Sequence, residues 1–193
     1  MAPQSKEQFE TMREISRVKI LATTLDLFSK KGFDNTSISD IAKAAGISKG
    51  LTYNYFKSKD DLLEQTLEML MQKVTDVFKP SAAIENPKER LEFLIRTNFK
   101  LIELDSSLWR MFIQLSLQLD KESNAHKILN MYWSMLFNNA IEIFKEIGYT
   151  NYKSMAYQYG AMMDGLAMQY ILLGKENFPF EETLENVIQL FCK

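Results

Sequence analysis

From Pro87 to Cys192 the apolar residues return every three or four positions, and little interrupts them. That spacing belongs to one face of an α-helix, not to the strict alternation of a half-buried strand. Helical segments are expected over about 87–105, 107–119, 124–147, 151–174 and 180–192. The breaks between them are short polar runs: DSS, DKESN, GYTN and GKENFPF. With only 7 glycines and 4 prolines in 193 residues, the chain lacks the turn residues that many short strands would need. An all-α fold is expected.

The first third repeats the pattern in shorter pieces. Val18, Leu21, Ala22, Leu25 and Phe28 make one helix face within 13–31. That helix ends at Lys30-Lys31-Gly32, with lysines at the negative helix end and a glycine able to take the left-handed cap. Ser37 and Asp40 have capping-box spacing ahead of Ile38, Ile41, Ala42 and Ala45. Gly46 closes that short helix, and ISKGLTYNYF reads as another. Ser58 caps a fourth helix, which carries Asp60 and Asp61 in its first turn and stops at Pro80. Asn86 and Pro87 start the next. The count is about nine helices. The expected organisation is an N-terminal domain over 1–58, a connecting helix over 59–79 and a larger domain over 80–193.

Charge separates the two ends. Residues 1–59 carry 10 Lys/Arg against 6 Asp/Glu, a net of +4, while residues 60–193 carry 13 against 19, a net of −6. Within Ile41–Lys59 there are four lysines, two tyrosines and no carboxylate. A basic, acid-free stretch at one end of an acidic chain suits contact with a polyanion. It coincides with the two short helices joined across Gly46, the layout of a helix-turn-helix. Ala42, four residues before that glycine, is small enough for a close helix crossing.

The stretch from about Val18 to Leu63 closely resembles the DNA-binding region of the TetR (tetracycline-repressor) family of bacterial regulators. The matching positions are Gly32-Phe33, Thr36-Ser37-Ile38, Ile41-Ala42, Ala45-Gly46-Ile47-Ser48, Gly50, Tyr53, Tyr55-Phe56 and Lys59-Asp60-Asp61-Leu62. The resemblance implies a three-helix DNA-binding domain on a larger helical dimerisation and effector domain. It also implies a repressor, released from a near-palindromic operator by a small molecule. The remaining two thirds match only in helix count.

In such a motif the second helix presents its N-terminal residues to base edges. Ser48, Lys49, Gly50, Leu51 and Asn54 are therefore the expected readers. Lys49 suits guanine, Asn54 suits adenine, and Gly50 lets the backbone approach. Tyr53, Tyr55 and Lys59 are expected on phosphates, with Thr36 and Ser37 offering hydroxyls and N–H groups from the preceding helix. Lys43 and Lys57 read equally well as solvated charges, and Phe33 and Phe56 as core. The family places an apolar residue before Tyr53; here it is Thr52, preceded by Leu51. Either Thr52 packs through its methyl and bonds a carbonyl, or the helix is rotated and Leu51 faces a thymine methyl.

The larger domain collects aromatics and methionines. Trp109, Phe112, Tyr132, Trp133, Tyr157 and Met163 are candidates to line a pocket for a largely apolar effector. At helical spacing such residues are usually core. Asp164 stands in an apolar helix, where an unpaired charge is costly. Three places would suit it: paired with Arg96 or Arg110, at a dimer interface, or facing a polar or cationic ligand. Gly160, Ala167, Ile171, Leu184, Val187, Ile188 and Phe191 are the candidate homodimer interface, with internal packing as the alternative.

Enzyme chemistry lacks its parts. His126 is the only histidine, Cys192 the only cysteine, and no Gly-rich phosphate loop is present. No catalytic residue, metal site or cofactor is expected. The N-terminus lacks a signal-peptide core, and the longest apolar run is broken by Gln158, Asp164 and Gln169. A cytoplasmic protein without a membrane partner is expected. The competing functional reading is a helical regulator governed by a protein partner, with no small-molecule pocket.

Overall fold

A computed structural model describes residues 6–193 and contains nine α-helices among them. They are α1 (Lys6–Lys31), α2 (Ile38–Ala45), α3 (Lys49–Tyr53), α4 (Lys59–Phe78), α5 (Pro87–Leu104), α6 (Ser106–Gln118), α7 (Asn124–Ile147), α8 (Tyr152–Leu173) and α9 (Phe180–Cys192). A 3-10 turn, Lys79–Ala83, follows α4. No strand occurs among the described residues. None of the described helices is long and apolar enough to cross a membrane.

Most helix ends fall where the capping residues place them. Ser37 and Asp40 form the capping box reciprocally, and Gly46 takes φ 72° to close α2. Gly32, at φ 82°, donates its N–H to the Phe28 carbonyl at the end of α1. Ser58 Oγ accepts from the Asp61 N–H, and Asp61 Oδ2 accepts from the Lys57 N–H. Asn86 caps α5 with Pro87 in its first turn. The first helix is longer than its apolar pattern suggests. Residues 6–12 contain no breaker, so the helix continues there, but residues 10–15 are exposed and need no apolar periodicity.

The chain divides into two compact units. The first runs to Leu70 and includes Leu119–Ile128; the second comprises Met71–Gln118 and Leu129–Lys193. This differs from the expected boundaries in two ways. The division falls inside α4, and the α6–α7 connection belongs to the N-terminal unit. No local pattern announces that return, because it joins residues some fifty positions apart.

The first unit is built on Ile20, Leu21 and Phe28 of α1, Ile41, Ala42 and Ala45 of α2, and Leu62, Leu63 and Leu67 of α4, all nearly inaccessible. Each large apolar side chain buried this way contributes about 1.5–3 kcal/mol before entropy is counted. Three threonines are buried with them, and each satisfies its hydroxyl on a backbone carbonyl one turn earlier: Thr24 on Ile20, Thr36 on Gly32, Thr66 on Leu62. The second unit has its own core, with Phe144 fully buried against Tyr149, Tyr159 and Phe191.

Candidate nucleic-acid interface

The recognition segment separates cleanly into inward and outward residues. Thr52 is fully buried. Its Oγ1 approaches the Ser48 carbonyl at 3.4 Å. The first of the two expectations for this threonine therefore holds: it packs through its methyl and satisfies its hydroxyl on the backbone. Ser48, Lys49, Gly50, Leu51, Tyr53 and Asn54 are all exposed. Ser48 is the N-cap of α3, its Oγ accepting from the Leu51 N–H at 3.1 Å. Leu51 presents its side chain to solvent, as Lys49 does, so α3 exposes an apolar and a cationic side chain. A Cβ added to Gly50 would meet nothing within 4 Å, so no packing inside the chain requires a glycine there.

Three expected contacts take other roles. Thr36 is 1% exposed, and its hydroxyl is held by the Gly32 carbonyl, so it cannot reach a phosphate. Ser37 is exposed, but its hydroxyl and its backbone N–H are both engaged by Asp40 Oδ2 in the capping box. Those hydrogen bonds hold the Asp40 carboxyl below its ordinary value. Lys59 turns away from a free surface: its Nζ sits 4.2 Å from the centre of the Phe33 ring and donates to the Asp34 carbonyl at 3.5 Å. Phe33 in turn meets Phe28 edge-on. Lys59 thus ties α4 to the loop before α2.

Tyr55 is half-buried, tilted against Phe56 and covered by the Arg13 guanidinium, 5.9 Å from its ring centre. The residues alone did not point to Arg13. The available signal is its position on α1: Arg13 and Arg17 continue the inward stripe of Leu21, Thr24 and Phe28. Arg17 reaches Gln65 of α4 through Nη2 at 2.7 Å, and Gln65 donates to Asp61.

The second unit brings most of the aromatic candidates together. Trp109 meets Trp133; Phe112 meets Tyr132 and Trp133; Trp133 leads through Phe137 to Tyr157. Trp133 Nε1 donates to Ser116 Oγ at 3.4 Å. Met163 is not part of this chain of rings; it is buried in the core with Ala167 and Tyr170. Burial raises the Tyr132 hydroxyl well above its usual range. Asp164 is half-buried, and burial pushes its carboxyl up to about 6. Arg96 is not its partner, because Arg96 is held by Glu92 and Glu185.

The expected dimer residues are largely internal. Ala167, Leu184, Val187, Ile188 and Phe191 are 6% exposed or less and form the second unit's own core. Gly160 is needed by a neighbour in the same chain, since a Cβ there would lie 2.9 Å from Phe137 Cε1. Ile171 is half-buried. The reason for the correction is geometric: α9 has one apolar face, and α5, α7 and α8 already cover it.

The fold and this surface are those of a two-part helical regulator with an N-terminal helix-turn-helix. Residues 20–66 match the family model described as bacterial regulatory proteins, tetR family. A curated relative, the HTH-type transcriptional regulator BetI of Paraburkholderia phymatum, is 25% identical over 173 residues, covering 88% of this chain and 87% of its own. SCO4454, a TetR-family transcriptional regulator from Streptomyces coelicolor, has a similar fold at TM-score 0.79 and 16% identity, covering 92% of this chain and 96% of its own. AibR, solved in complex with isovaleryl coenzyme A and operator DNA, is similar at TM-score 0.73 and 19% identity, covering 92% and 98%. The helix-turn-helix end of the chain is thus similar to that of the tetR family, and the fold as a whole is similar to those of the solved regulators. The matched family and the curated relative are both regulators, in line with the expectation of a DNA-binding regulator.

Proposed function

We propose that the chain is a sequence-specific DNA-binding repressor that acts as a homodimer and leaves a near-palindromic operator when a small molecule binds its second unit. The observation that carries this reading is the surface Ser48–Asn54. It is exposed and free of carboxylates, and the buried Thr52 and the Ser48 cap hold it in place. Lys49, Leu51 and Asn54 offer a donor for guanine, an apolar contact for a thymine methyl and an amide for adenine. Tyr53 donates to the backbone and positions the helix without specifying sequence.

The effector site is the run of rings on α6, α7 and α8: Trp109, Phe112, Tyr132, Trp133 and Tyr157. Such a lining favours a ligand with a large apolar part. The structural neighbour bound to isovaleryl coenzyme A supports an acyl group as one such part. Occupancy acts by favouring one dimer arrangement over another, so the ligand must bind the two with different affinity. Changes in the second unit reach the first through the places where the chain crosses between them: the middle of α4, the end of α6 and the first turns of α7.

The dimer contact moves to another face. Tyr157, Ala161, Gly165, Met168 and Leu172 are exposed along one stripe of α8, and nothing within 4 Å would meet a Cβ at Gly165. That stripe is open to a second copy, whereas the buried face of α9 is not. Two recognition helices would then enter major grooves about 34 Å apart.

The deciding experiment is selection of bound duplexes from random DNA by the full chain. A recovered two-fold repeat with half-sites about one helical turn apart is the expected result. Recovery of no shared sequence overturns the reading.

A further inference from the structure

Arg13 lies on α1, outside the helix-turn-helix, in the exposed stretch ahead of Ile20, which is buried. Arg17, one turn later, uses its donors on Gln65 and Glu14. Arg13 forms no ion pair among the described residues, and its one contact is the ring of Tyr55. A cation–π contact at that distance engages none of the guanidinium N–H groups in a hydrogen bond. Tyr55 directly follows the exposed Tyr53 and Asn54, so the guanidinium lies beside the surface assigned to DNA. Glu14, the next residue of α1, pairs with Arg17. An exposed cation held against Tyr55, with no carboxylate partner among the described residues and beside the acid-free stretch, suits a phosphate.

We propose that Arg13 is a DNA-backbone contact: placed over the Tyr55 ring, it donates to a phosphate oxygen at the edge of the half-site read by α3. The contact extends the interface onto α1, where a search restricted to the helix-turn-helix would not look. It positions the protein on DNA and carries no sequence preference of its own. The inference rests on the DNA-binding reading above.

The test uses the full-length protein and the duplex recovered by selection, with binding followed by fluorescence anisotropy across a range of salt. Arg13→Ala should melt as the wild type does and bind about tenfold or more weakly at low salt. Its plot of log affinity against log salt should be shallower by about 0.9 for each protomer bound. Base preference should be unchanged. Arg13→Lys keeps the charge without the planar fork, so it should recover most of the slope and only part of the affinity. Wild-type affinity and slope in Arg13→Ala would overturn the proposal. Weaker binding with an unchanged slope would also overturn it, by assigning Arg13 to packing alone. Lys49→Ala, run alongside, separates the two levels. If it changes base preference while Arg13→Ala has no effect, only the Arg13 contact falls. If the wild type itself prefers no sequence, the DNA-binding reading falls and takes this inference with it.

Discussion

The two units use similar residues for opposite ends. In the first unit the polar side chains carry the design: Thr24, Thr36, Thr52 and Thr66 turn inward onto carbonyls, which leaves Lys49, Tyr53 and Asn54 as the outward set. In the second unit the aromatic side chains serve both as core and as candidate lining, and nothing in their type separates Phe144, at the centre of the core, from Trp133, among the half-buried rings. A motif defined by polar residues is specific because each must find a partner or face solvent. Apolar contacts are non-directional, so many arrangements of the same rings would pack equally well.

The largest effect separates the buried face of α9 from the open stripe of α8. Val187→Glu places a charge in the core and should cost several kcal/mol, giving unfolded protein by circular dichroism. Met168→Glu should instead give a folded monomer by light scattering. A folded, monomeric Val187→Glu would reverse the two faces. Next is Lys49→Ala, expected to lose about 1–3 kcal/mol of discrimination at one base position. Selection on the variant measures it, and an unchanged preference would remove Lys49 from the readers.

Asp164 tests the second unit alone. Burial raises its carboxyl to about 6 in the folded state, so the folded protein holds that proton more tightly than the unfolded chain does. The cost of ionising it is absent below about pH 4, grows as pH rises toward about 6, and is complete above that. Asp164→Asn should therefore be the more stable protein at pH 7, by about 1 kcal/mol once partial exposure is allowed for. The two should converge by pH 4 in denaturant titrations. A constant difference across that range would mean that ionisation of Asp164 is not its cause. The smallest effect is at Lys59. With its ammonium on Phe33, Lys59→Ala should lower stability by about 0.5–1 kcal/mol. Its salt dependence of DNA binding should stay at the wild-type value; a shallower slope would return Lys59 to the phosphate contacts.

Much of this was legible in the residues. The nine helices, the Ser37–Asp40 box, the Gly46 turn and the Ser58 cap all rest on interactions within four positions, which local sequence encodes. The outward set on α3 was legible too, once Thr52 is seen to face inward. Thr36 and Lys59 were misplaced because residue type states what a side chain can donate, while burial and neighbours decide to what. Arg13 was overlooked because Tyr55 lies forty-two positions away, and nothing local links a guanidinium to that ring.

By itself the sequence determined the fold class and the location of the helix-turn-helix, since helical periodicity, caps and the acid-free stretch are all local or compositional. Only the tertiary structure decided which apolar face α9 turns inward, which arginines form no ion pair among the described residues and where the α6–α7 connection returns. Those outcomes depend on contacts between distant segments, and competing packings of the same apolar residues are close in energy until every face has been covered.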